Sequence, residues 1–69
     1  MVVEGAEGHV VGIEVKFSRT VTDHDVRHLL WLRRSLGNRA ADLVVLTTGT
    51  EAYRRHDGVA VVPLGLIGP

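Results

Sequence analysis

The sequence predicts a small α/β domain with a mixed sheet, in the element order β-β-α-β-β, and one main helix. Residues 9–17 are rich in β-branched side chains and follow a glycine-containing turn, as a strand would. An amphipathic helix ends near Leu36, and residues 43–47 form a short, continuous apolar run. A chain of 69 residues holds one domain, so we treat 1–69 as a single unit.

The composition excludes several classes of function. Eight Lys and Arg balance eight Asp and Glu, so the net charge is zero and there is no strong overall field for a nucleic acid or an anionic membrane; binding through a local basic patch stays open. The absence of Cys excludes disulfides, thiolate zinc sites and Cys nucleophiles. No apolar run approaches the ~18 residues of a membrane span, and no signal peptide is visible, so we expect no membrane association and a cytoplasmic location.

The strand over residues 9–17 is expected to pair in a hairpin with residues 1–4. Because side chains alternate along a strand, its two faces carry different residues. The face predicted to be core carries Val11, Ile13, Val15 and Phe17, whereas the mixed face carries Val10, Gly12, Glu14 and Lys16.

Helix signals begin at Thr22, where a capping hydroxyl precedes acids in the first turn, including Asp25 three residues on. Gly37 is suited to the left-handed position after the last turn, so the helix should end at Leu36. Its predicted apolar stripe consists of Val26, Leu29, Leu30, Leu32 and Leu36.

The apolar run 43–47 is typical of a central strand covered on both faces. After a break at 48–50, residues 51–56 are predicted to form one irregular helical turn, and 59–62 a last strand ended by Pro63. The single helix forms the crossover connection between the second and third strands, and it covers one face of the sheet. The other face therefore needs cover from structure supplied elsewhere.

Glu14 and Lys16 lie two residues apart and therefore share one strand face; from spacing alone, a solvated ion pair is the simpler interpretation. Context adds a resemblance, carried by Val10–Phe17, the amphipathic helix, Val44–Gly49 and the late Val61–Leu64. From Val2 to Ile67 the chain resembles the C-terminal domain of unknown function that follows the AAA-type ATPase core in a family of prokaryotic ATP-binding proteins.

This resemblance implies a restriction-endonuclease-like fold of the PD-(D/E)XK nuclease superfamily, with Glu14 as a ligand of Mg²⁺ and Lys16 positioning the attacking water. The first acid of that motif should fall before Met1 and is absent, and Glu4 does not match it. There is also no phosphate-binding G-x-x-x-x-G-K-[ST] segment. The chain is therefore expected to be an N-terminally truncated copy, a partial nuclease-like domain that lacks catalysis.

Other side chains have two or more interpretations. His24 and His28 have the i, i+4 spacing of zinc ligands, but no third ligand follows and surface positions are favoured. Trp31 lies opposite the apolar stripe between Arg27 and Arg34, which indicates a partner interface, a nucleic-acid stacking platform or a ring lying flat under arginine stems.

Two further features stay open. Arg33 falls within the apolar arc and is expected to extend past the sheet edge or to reach a buried acid. Residues 47–49 either offer hydroxyls and amides to phosphate or form a plain turn, and the plain turn is favoured.

The favoured function is a non-catalytic interaction or regulatory module with a protein partner or a second copy of the chain. One alternative is Mg²⁺-dependent phosphodiester hydrolysis with a further acid from another chain. Another is nucleic-acid binding without hydrolysis, through Lys16, Arg19, Arg27 and Arg34.

Overall fold

The fold is a mixed sheet with one helix packed on one face, as the sequence predicts, but it has five strands where the sequence predicts four. A computed structural model describes residues 1–67. The strands are β1 (Val2–Glu4), β2 (Val10–Lys16), β3 (Ala40–Thr47), β4 (Tyr53–Arg54) and β5 (Ala60–Pro63), and the helix is α1 (Arg27–Leu36). The order across the sheet is β1-β2-β3-β5-β4, so the apolar strand β3 is central, as predicted.

The direction in which each pair of strands runs follows from the segment that connects them. The predicted hairpin joins β1 and β2 in antiparallel pairing. The helix returns the chain so that β3 is parallel to β2, and β5 is parallel to β3 on its other side. Strand β4 is antiparallel to β5 and forms the second edge.

The start of the helix differs from the prediction. Helix α1 begins at Arg27. The residues predicted to cap the helix, Thr22 and Asp25, instead form a turn that precedes it. The Asp25 carboxylate accepts hydrogen bonds from the Thr22 backbone N–H at 2.7 Å and from the Thr22 hydroxyl at 2.9 Å. At the other end, Gly37 has a φ of 57°, which confirms the predicted positive φ after the last turn.

The helical turn predicted for residues 51–56 is wrong, because Tyr53 and Arg54 form the short strand β4. A tight turn connects β4 to β5. Gly58 has a φ of 92°, and its N–H donates to the Arg55 carbonyl at 3.0 Å. The sequence does contain the signal for this hairpin, since Asp57 and Gly58 form an Asp-Gly pair of the kind favoured in β-turns.

The predicted core face of β2 is also wrong, because α1 packs on the opposite face. A Cβ placed on Gly12 would lie 2.9 Å from Leu32 Cδ2 and 3.2 Å from Leu29 Cδ2, so Gly12 lies directly beneath the helix. On the other face, Phe17 is 83% exposed and Val15 is 44% exposed. Both faces carry apolar residues, so alternation alone did not determine which one the helix covers.

The core lies between α1 and the sheet. The buried cluster consists of Val21, Val26, Leu29, Leu43, Val45, Val59 and Val61, with Leu30 and Leu32 packed against it. The predicted apolar stripe is thus confirmed at Val26, Leu29, Leu30 and Leu32, whereas Leu36 lies outside this cluster. The molecule measures 32 × 29 × 17 Å, and its small thickness matches one sheet and a single helical layer.

Candidate functional site

Glu14 and Lys16 share one face of β2, as predicted. In the parallel pairing with β3, Glu14 is opposite Val45 and Lys16 is opposite Thr47. Both positions are therefore on the helix side of the sheet. Glu14 is exposed, whereas the Lys16 ammonium forms an ion pair with Asp25, in the turn before α1.

Asp25 is held in its ionised form. The hydrogen bond from Lys16 is the largest cause, followed by the hydrogen bond from the Thr22 backbone, and together they lower the pKa of Asp25 from 3.8 to about 2. At neutral pH the Asp25 carboxylate therefore keeps Lys16 as its partner. The ammonium that the resemblance assigns to water positioning thus has a structural role within this chain.

A Mg²⁺ ion held by Glu14 would need further ligands. Within residues 1–67, Glu14 belongs to no group of three side chains whose ligand atoms lie close enough to share a metal ion. Mg²⁺ favours octahedral oxygen coordination, and one carboxylate leaves the other positions to water, phosphate or another chain. His24 and His28 are both exposed and also lie outside any such group in this part of the chain.

In the described part of the chain, one group of potential metal ligands does come together: Asp23, His56 and Asp57. Its two carboxylates are already engaged by the Arg55 guanidinium. Arg55 Nη2 forms an ion pair with Asp23, and Arg55 Nε donates to Asp57 Oδ2 at 3.2 Å. The arrangement is therefore an ion network in which Arg55 supplies the cation.

Arg55 joins distant parts of the chain, although no sequence motif singles it out. Its side chain is only 8% exposed, and Nη1 donates to the Val21 carbonyl at 3.2 Å. Burial acts to lower the pKa of Arg55, but hydrogen bonds to Asp23 and Asp57 outweigh it and raise the pKa. Because Asp23 lies 32 positions away in sequence, no local pattern indicates the contact.

An open cleft of about 510 Å³ lies at the C-terminal end of β3, where ligands often bind in α/β sheets. Arg19, Glu51 and Tyr53 contribute to its lining. The Thr48 N–H donates to the Ser18 carbonyl and the Gly49 N–H to the Thr47 hydroxyl, both at 3.2 Å. These two amides are thus used within the chain, which agrees with a plain turn at residues 47–49.

The second face of the sheet, which we call the uncovered face, is largely apolar. The strand register places on it Val3, Val11, Ile13, Val15, Val44, Leu46 and Val62. Its charged residues Asp42 and Arg54 form an ion pair at 3.0 Å, and the hydrogen bond from Arg54 lowers the pKa of Asp42. The uncovered face therefore presents apolar side chains together with a charge pair that neutralises itself.

The outward side of α1 carries a different surface. Trp31 is 61% exposed, and Arg27 and Arg34 are exposed on either side of it along the helix. Arg33 extends across to the turn between β4 and β5, where Nη1 donates to the Asp57 carbonyl at 2.6 Å. Arg33 thus contacts a backbone oxygen at the sheet edge, in line with the first of its two predicted environments.

These features define a small mixed α/β domain whose sheet is covered on one face. The chain belongs to the family described as a domain of unknown function (DUF4143), whose match spans residues 1–67. No curated protein and no solved structure matches the chain. Within the described residues, every helix is too short or too polar to cross a bilayer.

Proposed function

We propose that this chain is a non-catalytic interaction module whose uncovered face packs against a helical layer of another polypeptide. The observation that carries the proposal is the position of Val15 and Val44, which lie at the centre of an apolar face without cover from residues 1–67. Burial of such a face from water is the main favourable term in protein association.

The pairing of the strands favours a helical layer as the occupant. Strand β3 is parallel to both of its neighbours, and all-parallel sheets occur almost only with helices on both faces; the centre of this mixed sheet has that parallel arrangement. The ion pair of Asp42 with Arg54 is already formed, so an apolar partner buries no unpaired charge there.

The cellular setting of this module is part of the proposal. The family is described only as a domain of unknown function. The resemblance alone supports the proposed setting, a C-terminal domain of AAA-type ATP-binding proteins of restriction-endonuclease-like ancestry, working in the cytoplasm. In that setting the module regulates the ATP-binding protein to which it belongs, by holding a partner segment on the uncovered face.

Mg²⁺-dependent hydrolysis is a less favoured function. It would use Glu14 as the metal ligand and Lys16 as the cation beside the attacking water. The Lys16 ammonium is paired with Asp25, and Glu14 belongs to no group of three close ligands among residues 1–67, so this function also requires a further acid from another chain. The geometry therefore supports interaction ahead of hydrolysis.

The proposal is tested on the purified chain by sedimentation velocity and by binding of the apolar dye ANS. We expect dye binding and concentration-dependent association, because the uncovered face lies open to solvent. Val15→Lys should weaken both, since Val15 is 44% exposed and lies on this face. Thr48→Lys adds the same charge at an exposed loop position and should change neither.

The possible results distinguish which polypeptide covers the uncovered face. A folded monomer that binds no ANS and unfolds cooperatively would contradict the proposal. A discrete dimer that is abolished by Val15→Lys would identify a second copy of the chain as the occupant in place of a helical layer.

A further inference from the structure

The outward side of α1 forms a second surface whose chemistry differs from that of the uncovered face. Its central residue is Trp31, 61% exposed and the single tryptophan of the chain. Arg27 precedes Trp31 by four residues and Arg34 follows it by three, so the three side chains share one side of the helix. We call this the tryptophan ridge.

The charge of the tryptophan ridge is of one sign. The sequence of α1, Arg27–Leu36, contains no Asp or Glu. The nearest acids precede the helix and are engaged elsewhere, Asp23 with Arg55 and Asp25 with Lys16. Among residues 1–67, neither Arg27 nor Arg34 forms an ion pair or a side-chain hydrogen bond. Two guanidinium groups thus face solvent beside an exposed indole.

The spacing of the two arginines defines which partner segments can bind the tryptophan ridge. Arg27 and Arg34 are seven residues apart, which is about 10 Å along a helix. A partner with carboxylates at a similar separation can form a charge-assisted pair with each guanidinium, while an apolar side chain between them contacts the indole. Tryptophan and arginine are the residues most enriched among those that dominate binding energy at protein interfaces.

We propose that the tryptophan ridge binds an acidic polypeptide segment in which carboxylates flank an apolar residue. A nucleic acid is less favoured, because affinity for its backbone depends on neutralising many phosphates, whereas this ridge carries two arginines on a chain of zero net charge. The ridge and the uncovered face lie on opposite sides of the sheet, so this proposal does not depend on the previous one.

Fluorescence of Trp31 provides the test, because no other tryptophan contributes to the signal. The probe is a synthetic helical peptide with glutamates seven residues apart and a leucine between them, titrated into the full chain at low salt. We expect a saturable blue shift of the emission as the indole leaves water, and weaker binding as salt is added. A peptide with lysines in place of the glutamates should give no shift.

Variants show whether the ridge itself is responsible. Arg27→Glu should weaken binding of the acidic peptide about tenfold or more by replacing attraction with repulsion. Arg19→Glu is the matched control, since it makes the same charge change at an exposed residue of the cleft and should leave the affinity unchanged. Trp31→Ala, followed by calorimetry, should also weaken binding.

Three results would overturn the proposal: no shift with the acidic peptide, equal shifts with both peptides, or equal losses in Arg27→Glu and Arg19→Glu. A single-stranded oligonucleotide serves as a further arm. Tighter binding of the oligonucleotide than of the acidic peptide, with a steep salt dependence, would replace the acidic segment by a nucleic acid as the ligand.

Discussion

Lys16 and Asp25 form an ion pair that joins the C-terminal end of β2 to the turn before α1. The same carboxylate accepts two hydrogen bonds from Thr22, so one side chain closes the turn and ties it to the sheet. These contacts hold the start of the crossover connection in place. They also explain why Lys16 is partly buried while Glu14, two residues earlier, is exposed.

The first prediction concerns the pH dependence of stability. The pKa of Asp25 falls from 3.8 to about 2 on folding, so the unfolded chain binds a proton at a higher pH than the folded chain does. The stabilisation by Asp25 is therefore complete above about pH 4 and is lost as the pH falls towards 2. Urea unfolding between pH 2 and 5 should show this loss, and Asp25→Asn should make the dependence less steep.

A control separates Asp25 from the other acids, since the pKa values of Asp42 and Asp57 are also lowered. Asp42→Asn leaves the contacts of Asp25 intact and should retain the steep loss between pH 4 and 2. An Asp25→Asn variant with the same pH profile as the parent chain would show that the pair with Lys16 does not stabilise the fold.

The second prediction concerns the space above Gly12. Gly12→Val should lower the free energy of unfolding by about 1–3 kcal/mol, because added methyl groups displace well-packed side chains. A Cβ there already lies 2.9 Å from Leu32 Cδ2 and 3.1 Å from Leu43 Cδ2. The matched control is Gly65→Val, at a position with nothing within 4 Å. Equal denaturation midpoints for the two variants would contradict the placement of α1 over β2.

The third prediction concerns Arg55. Arg55→Met keeps most of the apolar stem but removes the guanidinium that holds Asp57 and the Val21 carbonyl, and it should cost about 1–3 kcal/mol of unfolding free energy. Chemical denaturation measures the change. Arg54→Met is the control, because that side chain is 56% exposed and its loss should be smaller. A larger loss for Arg54→Met would refute the central role of Arg55.

The fourth prediction concerns metal binding. Titration of the chain with Mg²⁺ or Mn²⁺ by calorimetry should show no saturable binding, because Glu14 belongs to no group of three close ligands in the described residues and Lys16 is paired with Asp25. The control is Glu14→Ala on the same preparation. Saturable binding that disappears in Glu14→Ala would favour the nuclease-like function and would justify a screen of phosphodiester substrates.

Much of the candidate site followed from local patterns. The helical period placed Trp31 outward between Arg27 and Arg34, and the strand period placed Glu14 and Lys16 on one face; both placements hold in the structure. The partner of Lys16 is not predictable from the sequence, because the position of Asp25 three residues after Thr22 indicates only a capping role. An acid in a first turn stabilises a helix whether or not it also meets a lysine from a strand.

The α/β class, the central apolar strand, the apolar stripe of the helix and the sheet face without cover can all be predicted from the sequence. These depend on hydrophobic periods and turn residues, which act over a few positions. Which face of β2 the helix covers depends on the close approach of Leu32 to Gly12, and the contact of Arg55 with Asp23 likewise forms only in the folded chain. Both outcomes depend on packing between segments that are distant in sequence. Which surfaces pack together depends on whether their shapes fit, and no local preference determines the result.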